Sequence, residues 1–313
     1  MGQISTLAAY NSVIGNLLQA ENNENQADVQ VSSGKVASDL EGYGTNAEAL
    51  IAAEAMQTRV NGYVQAATNA SSQLDAQNSA LTEISSAGQD AQQAIEQAIA
   101  NGDGDGLMAS LQSAFSEAVD GLNTQYNGAY LFSGSNVTTP AVGVQNLSDL
   151  APSGSGLGFQ NDNNPASVQL DETTTVQTGM LASSIGTPLF QAFQAIAQAN
   201  AGPDGPFTGA LSSAQQADLT SILQSFDSAN SGLTETTAQN GLLQNQVSAI
   251  QTDQQQQQTN LQTTIGNMTD VDMGQASAQL SQAQTALQAS ARVFESLQST
   301  SLLNYLGTSG TLG

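Results

Sequence analysis

Residues 46–100 run almost free of helix breakers. Ala49, Ala53, Met56, Val60, Val64, Ala67, Leu74, Leu81, Ile84, Ala87, Ala91, Ile95 and Ile99 fall there on one apolar stripe at 3-and-4 spacing. A helix over this stretch spans roughly 80 Å at 1.5 Å per residue. No compact enzyme core needs an element of that length, so the stretch favours a rod or a bundle.

The rest of the chain follows the same logic. Residues 3–31 read as a helix with a narrow seam of Ile4, Leu7, Ile14 and Leu18, on which Asn11 also falls. Gly34, Gly42 and Gly44 interrupt it. After a turn at Asn101–Gly106, Leu107, Leu111, Phe115, Ala118, Leu122 and Tyr126 mark a further helix, expected to return antiparallel on its predecessor. Residues 137–184 are rich in Gly, Pro, Asn, Thr and Val. Within them residues 167–170 and 175–177 alternate as short strands, and Tyr130, Leu131 and Phe132 read as another. A short helix over residues 189–199 follows, then a linker at Gly202–Pro206. Helix resumes near Ser213, where Ser213 and Gln216 have capping-box spacing, and its stripe runs from Leu219 to Ile265. A last helix opens at Asp272, spaced likewise from Gln275, with Leu280, Ala283, Leu287, Ser290, Phe294, Leu297 and Ser301 at heptad intervals.

Composition narrows the function. Lys35, Arg59 and Arg292 are the only basic residues against 27 acidic ones, for a net charge of −24. Such a field repels phosphate backbones and anionic lipid, which excludes nucleic acid and membrane surfaces as partners. Charged residues make up 10% of the chain, against roughly 25% in ordinary globular proteins. Amides and hydroxyls therefore carry the polar surface, as in Gln254–Gln258. With neither cysteine nor histidine, the chain lacks disulfides, the usual zinc ligands and the commonest general base. The first basic residue is Lys35, so no secretory leader is expected, and no apolar run reaches the ~20 residues of a membrane span.

Several segments resemble known ones. Ser32-Ser33-Gly34-Lys35 is similar to the turn that ends the first helix in the flagellin family. Asn127 to Gly134 (NGAYLFSG) resembles the point where the hook–filament junction branch of that family leaves its helical core. Asp270-Val271-Asp272, residues 282–290 (QAQTALQAS) and residues 301–306 (SLLNYL) resemble that branch's terminal helix. The resemblance covers roughly residues 1–137 and 210–306. Two departures stand out: Val36-Ala37-Ser38-Asp39-Leu40 replaces a basic and acidic run, and extra residues follow the tyrosine-leucine ending.

The resemblance implies a non-enzymatic structural subunit joining hook to filament. It would be exported unfolded through the flagellar channel without cleavage, to an extracellular place on the flagellum. Implied partners are other copies of the chain, a hook-end adaptor, flagellin filament subunits, the export apparatus and an export chaperone. A filament-forming flagellin, or a surface-binding protein using residues 138–205, are the rival readings.

The sharper chemical readings yield to simpler ones. Asn101-x-Asp103-x-Asp105-Gly106 begins like a calcium loop, but Ala109 and Gln112 occupy later ligand positions, so a plain turn is expected. Asp270 and Asp272 are better placed as helix caps than as a catalytic pair. The Met1–Thr6 myristoylation pattern and the sequons at Asn69, Asn136, Asn146 and Asn267 are coincidences of composition. No catalytic, cofactor or metal residue is expected.

The expected fold is mainly α: an elongated helical bundle or coiled-coil rod formed by both chain ends, with a small β-rich inserted domain in the middle. Residues 1–36 and 273–313 form a terminal coiled-coil assembly domain. Residues 37–137 and 206–272 form a rod core, and residues 138–205 an outward-facing insert. The assembly seam is expected at Ile4, Leu7, Ile14, Leu18, Leu280, Leu287, Phe294, Leu297, Leu302, Leu303, Tyr305 and Leu306.

Overall fold

A computed structural model describes the backbone of residues 2–152, 154 and 156–308, and the side chains of residues 8 and 10–299 within those bounds. Among the described residues there are six α-helices: α1 (Gly2–Ser33), α2 (Ala47–Asn101), α3 (Leu107–Leu122), α4 (Ala182–Ala201), α5 (Ser213–Thr269) and α6 (Met273–Thr308). Two small antiparallel ladders interrupt them, β1 (Gln125–Tyr126) with β2 (Ala129–Tyr130), and β3 (Ser167–Gln169) with β4 (Thr175–Gln177). The contacts divide the chain into two units, Met1–Thr58 with Gln258–Gly313, and Arg59–Gln257.

In the Arg59–Gln257 unit, α2 and α5 are antiparallel. Asn230 Nδ2 donates to Gln92 Oε1 at 2.9 Å, Asn240 Nδ2 to the Leu74 carbonyl at 3.0 Å, and Gln251 Nε2 to Thr68 Oγ1 at 2.9 Å. As α5 advances, its partner on α2 recedes. α3 returns along α2, and a Cβ on its Gly121 would lie 2.7 Å from Ile84 Cγ1, so only glycine permits this approach. α4 completes the core. Phe115 of α3 meets Phe190 and Phe193 of α4 at ring separations of 5.2 and 5.3 Å, and Phe193 meets Phe226 of α5 edge-on at 5.0 Å. Full burial of these rings makes this the main apolar core.

α4 begins at Ala182, earlier than the expected residue 189, and carries Pro188 within it. Two features outweigh the proline. Asn161, distant in sequence, accepts the Ser183 N–H at 3.0 Å and donates to Ser183 Oγ at 2.9 Å, which caps the first turn. Ile185, Leu189, Phe193 and Ile196 then bury one face of the helix. The insert is thus held chiefly by a helix, with β3 and β4 its only ladder among the described residues.

α3 stops at Leu122, so Tyr126 lies in β1 and not on the helical stripe. The cause is Asn127-Gly128, both at positive φ (51° and 80°), which closes a two-residue hairpin. Of the three residues read as a strand, only Tyr130 belongs to β2. Leu131 still donates to the Thr124 carbonyl at 3.0 Å, and Phe132 accepts from Ala182 at 2.9 Å. The cap of α5 also sits one residue earlier than expected. Ser212 N–H donates to Gln215 Oε1 at 2.8 Å and Gln215 N–H to Ser212 Oγ at 3.2 Å, because Ser212 and not Ser213 is the last residue before the helix.

The turn at residues 101–106 is a structural joint. Asp105 Oδ1 accepts the Gly209 N–H at 2.7 Å, Gly104 N–H donates to the Gly209 carbonyl at 2.8 Å, and Asp103 Oδ1 is occupied by the Asp105 N–H at 2.9 Å. It ties the α2–α3 turn to the segment preceding α5.

At Gly134 the exit from the helical core is set by one carboxylate. Asp162 accepts from the Ser135 and Asn164 N–H groups at 3.0 and 2.9 Å and from Ser135 Oγ. The Ser135 hydroxyl, foremost among these donors, holds its pKa below the usual value. Gly134 has φ +73°, and a side chain there would collide with Asp162. Gly134→Ala is expected to lower stability by about 1–3 kcal/mol. Thermal unfolding of the full chain measures it, and an unchanged melting temperature would contradict this role.

Candidate assembly interface

The Met1–Thr58 and Gln258–Gly313 unit joins the two termini. α1 and α6 run antiparallel, with the Tyr10 and Phe294 rings 5.5 Å apart near one end. At the other end Lys35 meets Asp270.

This closure is built from backbone as well as charge. Gly34, at φ +68°, ends α1 by donating to the Gln30 carbonyl at 2.9 Å. The chain then turns onto the segment before α6: Val36 N–H donates to the Thr269 carbonyl at 2.7 Å and Val271 N–H to the Gly34 carbonyl at 3.0 Å. Lys35 Nζ donates to Asp270 Oδ1 at 2.6 Å and to Thr269 Oγ1 at 3.1 Å. Asp272 serves α6 instead, accepting the Gly274 and Gln275 N–H groups at 2.8 and 3.1 Å as its N-cap. The two aspartates therefore have separate structural tasks.

The buried line between the terminal helices is alanine: Ala20 and Ala27 on α1, Ala276 and Ala283 on α6. Small side chains let the helices approach closely, and the larger expected seam residues flank this line. Ile14, Leu280, Leu287, Phe294 and Leu297 are half-buried. Leu18 is 53% exposed, and Val293 and Val29 are 51% and 42% exposed. The side chains of Ile4, Leu7, Leu302, Leu303, Tyr305 and Leu306 lie outside the described residues. A pair of helices covers only one side of each large residue, so an apolar margin remains. A groove of about 440 Å³ between the helices is lined by Ala20, Ala27, Ala283 and Ala286 with amide side chains, and holds no titratable group.

Sequence reasoning missed the Lys35–Asp270 closure, since nothing local shows that residues so far apart meet. The only signal was that both fall in motifs with the same resemblance. No helix among the described residues is long and apolar enough to cross a membrane, and no described group of acidic side chains has the geometry of a metal site.

Residues 4–137 match the family model of the bacterial flagellin N-terminal helical region, and residues 223–306 that of the bacterial flagellin C-terminal helical region. The chain belongs to the flagellin family. Solved structures share its fold, two flagellar proteins among them. A flagellar hook-associated protein from Vibrio parahaemolyticus has 16% identity and a TM-score of 0.58, covering 72% of this chain and 97% of its own. Bacillus cereus FlgL has 14% identity and a TM-score of 0.55, covering 69% of this chain and 99% of its own. No curated protein sequence matches the chain. As a flagellin-family member it is a structural component of the bacterial flagellum. The matched regions include both halves of the closure, Lys35 and Asp270.

The closure has a defined pH range. Its hydrogen bond to Asp270 raises the Lys35 pKa from 10.5, and that from Lys35, then Thr269, lowers the Asp270 pKa from 3.8. The depressed carboxylate contributes above its unfolded value and loses that contribution as pH falls through the folded one. The raised ammonium contributes below 10.5 and loses its contribution as pH rises past its folded value. Lys35→Ala should therefore be less stable than the parent between about pH 5 and 9, the gap closing at both extremes. Urea unfolding carried below pH 3.8 and above pH 10.5 measures the closing of the gap, and a gap unchanged at both extremes would reject the ion pair as its source.

Proposed function

We propose that this flagellin-family chain is the subunit that joins the flagellar hook to the filament. Residues 1–36 and 273–313 form the part that assembles, residues 37–137 and 206–272 the helical core, and residues 138–205 an insert turned outward. The carrying observation is the paired α1 and α6 with a margin of large apolar residues left uncovered, as at Leu18 and Val293. Burial of such a margin against neighbouring copies, a hook-end adaptor and the first filament subunits supplies cohesion at roughly 25 cal/mol per Å² of apolar surface. The terminal seam residues, Ile4, Leu7, Leu302, Leu303, Tyr305 and Leu306 among them, are assigned to these contacts.

The junction is preferred to the filament body for two reasons. The Tyr130–Gly134 segment and the residue 302–306 ending resemble the junction branch, and the structural neighbours include a hook-associated protein and FlgL. Export through the flagellar channel, unfolded, uncleaved and escorted by a chaperone, is part of the same reading. A chain without cysteine suits it, since no disulfide forms on the way.

Immunogold labelling of detached flagella tests the proposal. Label confined to the hook–filament boundary is the expected result. Label along the whole filament would make the chain a filament flagellin, and label absent from flagella would reject both.

A further inference from the structure

Within the Arg59–Gln257 unit, α2 and α5 meet along a heptad seam. On α5, Phe226, Leu233, Asn240, Val247 and Gln254 repeat every seven residues, and all are buried. On α2, Ala70, Gln77, Ile84, Ala91 and Ala98 do the same. Amides at such positions are costly, because a buried amide loses water and gains only what the partner helix offers. Asn240 donates to the Leu74 carbonyl at 3.0 Å, but its Oδ1 has no protein partner. Gln77, one turn further along α2 and fully buried, has none for either amide atom.

This polar layer falls between two separate apolar clusters. Ala80, Leu81, Ile84 and Leu233 belong to the large core shared with α3 and α4. Ala67, Ala70, Leu74 and Val247 belong to a small one, completed by Leu170 and Val176 beside β3 and in β4. The small cluster thus depends on the hairpin as a strap. An exposed Arg59–Glu172 ion pair at 3.4 Å adds little to it.

We propose that the Gln77 and Asn240 layer divides this unit into two cooperative folding units, and that the smaller opens while the larger stays folded. The small unit comprises α2 up to Leu74, α5 beyond Asn240 and the β3–β4 hairpin. Amides transmit little packing energy along the seam, so each side is stabilised by its own apolar contacts. This inference is independent of the place of the chain in the flagellum.

Native-state hydrogen exchange on the full chain decides it. Residues 62–74, 243–253 and 168–176 should exchange through one common opening, at least about tenfold faster than residues 84–98. Leu170→Ala with Val176→Ala should speed exchange of the first two segments by a further factor of about ten and leave residues 84–98 unchanged. Gln77→Leu with Asn240→Leu should narrow the gap between the units to within about threefold. Equal protection on both sides of the layer in the parent would overturn the proposal. So would a hairpin variant that exposes residues 84–98 equally, or a leucine variant that unfolds or widens the gap.

Discussion

The docking of residues 34–36 onto residues 269–271 is the constraint from which the terminal architecture follows. Two backbone hydrogen bonds and the Lys35–Asp270 pair bring together points at opposite ends of the chain. Gly34 supplies the left-handed turn that ends α1, and Asp272 starts α6 where the docked segment stops. From those two fixed ends α1 and α6 run antiparallel, as far as the Tyr10–Phe294 contact. Their alanine line sets the spacing, and the larger apolar residues are left at the margin.

With three basic residues against 27 acidic ones, each cation is a scarce resource. Among the described residues Lys35 pairs with Asp270 and Arg59 with Glu172. Elsewhere carboxylates meet one another: burial, then Glu117 and Asp120, raise the pKa of Glu83. Cohesion must therefore come from apolar seams and amide hydrogen bonds, as the cross-helix amides of α2 and α5 illustrate.

Much of the helical frame was legible, because long 3-and-4 stripes report a buried face whatever covers it. The stripe from Ala49 to Ile99 became α2, and the one from Leu219 to Ile265 became α5. Failures came where distant residues set the local outcome. The start of α4 depends on Asn161, and the burial of Leu170 and Val176 depends on helices far away in sequence. Two overlapping Ser-x-x-Gln spacings left the cap of α5 ambiguous until the helix start was known. At the candidate interface Ile14, Leu18, Leu280, Leu287, Phe294 and Leu297 lie on α1 and α6, but of the buried alanines between the helices only Ala283 stood on the expected heptad. Small residues look alike on a stripe whether they are covered or not.

We propose that the uncovered margin of the α1–α6 pair is the surface through which the chain joins the flagellum. Exchanging Leu18→Glu and Val293→Glu together in the native host tests it most directly, since about half of each residue is exposed. The amounts of the variant in the culture medium and on purified flagella would be measured against the parent. The account expects export at the parental level with incorporation reduced at least about tenfold, as charges resist burial at an apolar contact. Normal incorporation of the double variant would contradict it.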